Sequence, residues 1–260
     1  AADAGNVVTL TMTVSSTNSC APQTATATYL VQVDPVPTAS AGGSSTICQT
    51  ATATIGGTSS ANGSILWTEN GAGSITSGVN TLTPVYTASA GDAGNTVTLT
   101  MTVTSTNACN PQTATASYTI KVDSIPVAVS GGSHAICQNG FYTLANGEAT
   151  SANGSISWAE NGAGNITSGG TTLTPTYTAA AADAGKLVTL TMTVTSTNSC
   201  NPQTATAMYT IQVDSIPVAV SGGNTAICQN TSYTLLNGEA TAQNGTIQWT
   251  ENGAGSITNG

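Results

Sequence analysis

Residues 96–123 read TVTLTMTVTSTNACNPQTATASYTIKVD, and the pattern of this stretch decides the fold. Val97, Leu99, Met101 and Val103 alternate with Thr98, Thr100 and Thr102, the period of two that sets one row of a strand against a core and the other in water. Ala114, Ala116, Tyr118, Ile120 and Val122 alternate in the same way with Thr113, Thr115, Ser117, Thr119 and Lys121. Between the runs, STNACNPQ (105–112) supplies the Asn, Pro and small polar residues that favour a chain reversal. The stretch is therefore expected to be a hairpin of two half-buried strands.

Working outward, Ile65 and Trp67 share one face of an upstream strand, and Leu82 and Tyr86 share a face of another. NGAGSITSG (70–78) separates them, and Pro84 marks the later segment as an edge strand. No stretch shows sustained helical periodicity. The expectation is an all-β fold with about seven short strands in each structural unit.

The unit recurs. Trp67, Trp158 and Trp249 stand 91 positions apart, and Asp3, Asp92 and Asp183 open near-identical segments. Cys20, Cys109 and Cys200 form one cysteine series, and Cys48, Cys137 and Cys228 form a second. Periods of 89 to 91 exceed those of solenoid repeats and suit a whole small domain of the immunoglobulin-like sandwich type. VDPVP (33–37), VDSIP (122–126) and VDSIP (213–217) end strands and carry Pro, so they read as short, stiff linkers. The expected organisation is the tail of one repeat (1–34), two complete repeats (35–123 and 124–214) and the front of another (215–260). Ala1 aligns with Ala181 and Gly260 with Gly169, so the two partial copies lack the positions matching GTTLTPTYTAA (170–180). The sequence is thus expected to be a segment of a longer polypeptide, with completion of the partial copies by strand exchange between neighbours as the alternative.

Composition narrows the function. The 260 residues hold 11 acidic side chains, two lysines, no arginine and one histidine, for a net charge of −9. Only 5% of residues are charged while 39% are hydrophobic, which is not the composition of a disordered chain. Two cations cannot neutralise phosphates, so nucleic acid and anionic membrane surfaces are not expected partners. No apolar run approaches the ~18 residues that span a bilayer.

The segments ICQ (136–138), Trp158, LTPTYT (173–178), the turn Asp183-Ala184-Gly185, VTLTMTV (188–194) and Cys200 together resemble a known group. They are similar to the PKD-like and immunoglobulin-like tandem repeats of giant Bacteroidetes-type cell-surface adhesins, such as gliding-motility adhesins exported by the type IX route. The resemblance covers both whole repeats and both partial ones. It implies PKD-like β-sandwiches of about 90 residues arranged end to end in an extracellular stalk at the cell surface. It also implies that ligand binding lies in other parts of such proteins. No segment resembles a tip domain or an export signal.

Six regularly spaced cysteines in a low-charge, secreted-type sequence point to disulfides, making Cys20, Cys48, Cys109, Cys137, Cys200 and Cys228 the candidates. No C-x2-C or Cys/His pairing supports zinc. Two connectivities stay open. Pairing within repeats would join Cys48 to Cys109 and Cys137 to Cys200, although the strand count sets these sulfurs at opposite ends of a sandwich. Pairing between repeats would join Cys48 to Cys200.

The remaining candidates are weighed one by one. Trp67, Trp158 and Trp249 fall in phase with Ile65, Ile156 and Ile247, which assigns them to the core rather than to a sugar-stacking platform. The Thr rows suit solvent-facing strand positions and do not require an ice-binding surface. Asp92 and Asp183 read as turn residues. Asp123 and Asp214, at linkers, are weak calcium candidates, because no D-x-D clustering accompanies them. His134 aligns with Ser45 and Thr225 and reads as a solvated loop residue, and Lys121 and Lys186 have no repeated counterpart. Asp-Ser-Ile at 123–125 and 214–216 is similar to the O-glycosylation sequon of the bacterial group named above, which makes Ser124 and Ser215 candidate acceptors. Asn62, Asn153, Asn165, Asn230 and Asn244 open N-x-S/T triplets that an Asn- and Thr-rich chain produces by chance.

The expectation is a non-enzymatic structural segment of an extracellular adhesin stalk or filament, with no catalytic residue and no cofactor. Its expected partners are further repeats or identical subunits, with surface glycans as a possible addition. A glycan- or partner-binding module and a polymerising filament subunit are the alternatives.

Overall fold

The computed structural model describes residues 2–258. Their regular structure is β-strand, apart from single 3-10 turns at Ala90–Asp92 and Ala181–Asp183. The chain divides into two compact units, Ala1–Ile125 with Ser196–Gln203, and Pro126–Thr195 with Thr204–Gly260. The hairpin tip Ser196–Gln203 of the second whole repeat belongs to the first unit.

In the first unit, a four-stranded sheet runs in the order Ser44–Cys48, Thr113–Asp123, Thr96–Ser105, Gly63–Glu69. Its first pair is parallel and the others antiparallel. The alternation in 96–123 sets the register, with Leu99 opposite Tyr118 and Val103 opposite Ala114. Facing it is a three-stranded sheet ordered Thr52–Thr54, Val85–Thr87, Ser74–Ser77, and beside this lies the pair Thr38–Ser40 and Ser59–Ala61. Val97, Leu99, Met101, Val103, Ile120 and Val122 from the first sheet close on Ala53, Ile55 and Tyr86 from the second, with Trp67 between them. This is the expected all-β tandem sandwich fold. The second unit repeats the plan in Ser133–Cys137, Thr204–Asp214, Leu187–Ser196, Gly154–Glu160 and their opposing strands.

Each whole copy has nine strand segments instead of about seven. Breaks at left-handed residues divide two of the expected strands. Gly43 has φ +127° and an added Cβ there would meet the Tyr118 ring at 3.1 Å, so the chain turns here from one sheet to the other. Asn62, with φ 60°, makes the second break. Beyond it Gly63 lies so close to the neighbouring strand that a Cβ would come within 2.3 Å of the Thr104 carbonyl oxygen. The edge-strand reading of Pro84 is also corrected. Val85–Thr87 is the middle strand of its sheet, and Pro84 stands just before it, where the missing N–H costs no ladder bond and its carbonyl accepts from the Ile55 N–H.

Residues 7–32 repeat the hairpin of 96–123 without its surroundings. Val7–Ser15 pairs with Thr24–Gln32 in an isolated two-stranded sheet. Leu10 and Met12 are 55% and 61% exposed, whereas their counterparts Leu99 and Met101 are fully buried. Such side chains gain ~1.5–3 kcal/mol each on full burial. In the last repeat, Val218–Ser221 pairs with Ala240–Gln243, and 224–228 and 245–251 form no strand.

Candidate functional site at the hairpin tips

Each long hairpin ends in the same tip. Ser196 Oγ donates to Asn198 Oδ1 at 2.8 Å, and the Cys200 N–H donates to the same oxygen at 2.9 Å. The corresponding bonds recur at Ser105–Asn107–Cys109 and Ser16–Asn18–Cys20. A short polar side chain folding back on its own backbone in this way fixes the tip and leaves the Asn amide free to reach outward. A cis X–Pro bond follows in all three tips, at Pro22, Pro111 and Pro202.

The tip at 196–203 is bound to the end of the first whole repeat. Asn198 Nδ2 donates to the Ser124 carbonyl at 3.0 Å, and the Ser199 N–H donates to Asp123 Oδ2 at 3.1 Å. Cys200 forms a disulfide with Cys48, their Cα atoms 4.7 Å apart and 152 positions apart in sequence. The strand register prepares this bond. Ser44–Cys48 runs parallel to Thr113–Asp123 and sets Cys48 beside Asp123, so the first cysteine and the Asp share one end of the sheet. Cys109 sits at the hairpin before that strand, at the other end, which explains why Cys48 and Cys109 do not pair.

Asp123 is buried, and burial pushes its carboxyl up. The Ser199 donors and the Lys121 ammonium, 3.0 Å away, more than offset this and hold it below the usual carboxylate range.

The tip at 105–112 makes the same contacts one repeat earlier. Asn107 Nδ2 donates to the Pro35 carbonyl at 2.9 Å, the Ala108 N–H to Asp34 Oδ2 at 3.0 Å, and the Cys109 thiol to the Asp34 carbonyl at 3.4 Å. Cys109 is nonetheless a free thiol, as are Cys20, Cys137 and Cys228. Disulfide candidacy for those four is therefore not realised within the single chain. The Asn of each tip was not among the sequence candidates, although Asn18, Asn107 and Asn198 each precede a Cys by two positions.

Other candidates fall elsewhere. Asp92 and Asp183 are buried turn residues whose carboxylates accept from Tyr86 and Tyr177 hydroxyls at 2.8 and 2.7 Å and from the Ala72 and Ala163 N–H groups at 2.6 Å. Burial raises these carboxyls, but the bonds from backbone and tyrosine win and hold both low, while the two phenols are pushed up by burial and by the same carboxylates. Trp67 is 2% exposed and donates from Nε1 to the Thr81 carbonyl at 2.9 Å. Trp158 is half-buried with the matching bond to Thr172. Trp249 corrects the core assignment, since it is 43% exposed: the strands that cover Trp67 have no counterpart among residues 215–258.

Ser124 and Ser215 are half-buried rather than fully exposed. The Asp214 carbonyl accepts from the Gln138 N–H, and among the described residues no group of three His, Cys, Asp or Glu is arranged to hold a metal ion. His134 is not in a loop. It lies in strand Ser133–Cys137 and stacks on Tyr142 with ring centroids 3.8 Å apart. Beneath this stack, Glu148 accepts from Tyr209 at 2.7 Å and from Tyr142 at 2.9 Å, a network that sequence reasoning missed. The recurrence of Gly-Glu at 147–148 and 238–239 is the signal for it.

No protein-family model matches the chain, and no curated protein matches it. Among solved structures, an I-band fragment of titin is similar at 12% identity, covering 70% of this chain and 66% of that one, with a TM-score of 0.38. EC1-2 of human protocadherin-24 is similar at 12% identity over 70% of this chain and 99% of that one, TM-score 0.41. A fragment of intimin follows at 14% identity over 68% and 99%, TM-score 0.36. The chain thus spans slightly less than two thirds of the titin fragment.

Proposed function

We infer that this chain is a non-catalytic, load-bearing segment of an extracellular stalk in a bacterial surface adhesin, with repeats clamped in series at their hairpin tips. One observation carries the reading: Cys48 and Cys200, from successive repeats, are bonded inside a contact set that recurs around Asp34 and Cys109. A disulfide that links repeats suits a chain under tension in an oxidising compartment. The repeated carboxylates support the reading too, because Asp92, Asp123 and Asp183, whose carboxyls are held low, are consumed by turn and tip hydrogen bonds. Ser124 and Ser215 are proposed O-glycan acceptors on that stalk.

The test is immunogold labelling of the source cells with an antibody to residues 35–123, together with mass spectrometry of the isolated protein. Label along surface fibres, with hexose on Ser124 or Ser215, is expected. Label confined to the cytoplasm would sink the proposal.

A further inference from the structure

The second whole repeat departs from the first at two positions that face each other. In the first, Thr52 and Ser74 stand on either side of Thr87 in the three-stranded sheet, each directly opposite it. In the second, Phe141 and Asn165 take those places on either side of Thr178. The last repeat has Ser232 and Ser256 at the matching positions. Directly opposed residues of an antiparallel pair point to one face, so Phe141, Thr178 and Asn165 form a row across the sheet. That face is the outer one, because the adjacent residues Tyr142, Ile166 and Tyr177 turn to the core. Phe141 is 70% exposed there, the most exposed large apolar side chain of the two whole repeats.

Asn165 also opens Asn165-Ile166-Thr167, the acceptor triplet of an N-linked glycan. Chance accounts for such triplets in this chain, but the fold separates this one from the other four. Asn62 and Asn244 hold left-handed backbone, each at φ 60°, and donate from Nδ2 to the Val36 and Ile216 carbonyls at 3.0 and 3.1 Å. Asn153 and Asn230 are left-handed too, with φ 61° and 64°. Asn165 alone of the five stands exposed in a strand, Asn165–Ser168. The hydroxyls of Thr167 and Thr178 share a hydrogen bond at 3.1 Å, which brings the third residue of the triplet to the same outer face.

We propose that Asn165 carries an N-linked glycan whose first sugar lies across Thr178 and covers the ring of Phe141. Strands two apart in a sheet stand about 9–10 Å from each other, a span that an Asn side chain and one pyranose ring cover together. A pyranose presents C–H groups on one face, and the negative face of an aromatic ring attracts their positive hydrogens. The sugar thereby takes from water the apolar surface that Phe141 exposes. In the first whole repeat Thr52 and Ser74 offer neither ring nor amide, so the change of both positions together has one account. The donor is a lipid-linked pyrophosphoryl oligosaccharide, used by a transferase of the exporting cell. Asn165 Nδ2 bonds to the anomeric carbon, the bond from that carbon to the pyrophosphate oxygen breaks, and the amide proton passes to a base of the transferase. Nothing is oxidised or reduced.

Such transfer takes place on an exported chain, so the inference rests on the stalk reading. Protein isolated from its source cells is mapped by mass spectrometry before and after an N-glycan amidase acts in heavy-oxygen water. The peptide that holds Asn165 should carry a glycan and gain heavy oxygen at that residue, while Asn62 and Asn244 stay bare. A bare Asn165 overturns the proposal wherever the protein is found. Immunogold label on the surface of the same cells would then show that the stalk reading survives, and its absence that both fall. The ring is tested with Phe141→Ala made in the same cells, which should leave the occupancy of Asn165 unchanged. Removing the glycan should lower the melting temperature of the second unit by about 4 °C with Phe141 in place, the shift one good contact gives in a domain of this size, and by clearly less in Phe141→Ala. The amidase leaves an aspartate at the site in both chains, so its charge cancels from the comparison. An equal drop in both would put the sugar away from Phe141 and overturn the covering contact.

Discussion

Cys48 and Cys200 are bonded with their Cα atoms 4.7 Å apart, and the Ser199 N–H that precedes the second cysteine donates to Asp123, the strand neighbour of the first. The bond is one of several contacts that hold the tip in its place, and each can be tested separately.

Asn198→Ala removes both the bond to the Ser124 carbonyl and the internal acceptor of the Cys200 N–H. Each such bond contributes about 1 kcal/mol. The effective concentration of Cys200 at Cys48 should fall roughly 5- to 30-fold, which a glutathione redox titration of the folded chain would read directly. An unchanged equilibrium would mean that the tip needs no hydrogen bonds to dock.

Pulling on the chain ends offers a second measurement. The disulfide removes the loop between positions 152 apart from the extensible length. Complete unfolding in reductant should therefore lengthen the chain by about 500 Å more than unfolding in oxidant, at ~3.3–3.6 Å per residue. Equal contour lengths would show that the bond does not form in solution.

Asp92 and Asp183 predict an acid limb. Both carboxyls are held below their ordinary value in the folded chain. The stability they contribute is whole above the unfolded pKa of about 4 and is lost as pH falls through the lower folded value. Asp183→Asn should lower stability at pH 7 by ~1–3 kcal/mol, since the amide turns a donor toward N–H groups that want an acceptor. It should also flatten the acid limb of the second unit in denaturation series between pH 2 and 5. A variant with the wild-type acid limb would put the titration elsewhere.

The three tryptophans should differ in the reduced, dilute chain. Trp67→Phe loses a buried indole and its bond to Thr81, a loss of about 2–3 kcal/mol. Trp158→Phe should cost less, and Trp249→Phe within ~0.5 kcal/mol of nothing. Equal effects in denaturant melts would contradict the burial order.

The strand pair of 96–123 was legible because alternation is a direct image of the pleat, with nothing else needed to choose a face. The core role of Trp67 followed from its phase with Ile65. Cysteine pairing was legible only as two alternatives, one of them Cys48–Cys200, because spacing does not choose between them: the parallel placement of Cys48 beside Asp123, which decides it, arises when the first strand crosses between sheets at Gly43. That crossing depends on one left-handed backbone angle, which a glycine permits but does not announce. The Tyr142–Tyr209–Glu148 network escaped for a related reason. Its members come from separate strands and loops that only the folded register brings together.

The Cys48–Cys200 bond also changes what a protease can do. Every peptide bond between those two residues lies inside a covalent ring that includes most of the second sandwich. One cut in that span opens the ring and leaves the polypeptide in one piece. Severing requires a second cut or a reductant, so the molecule tolerates single nicks over more than half its length.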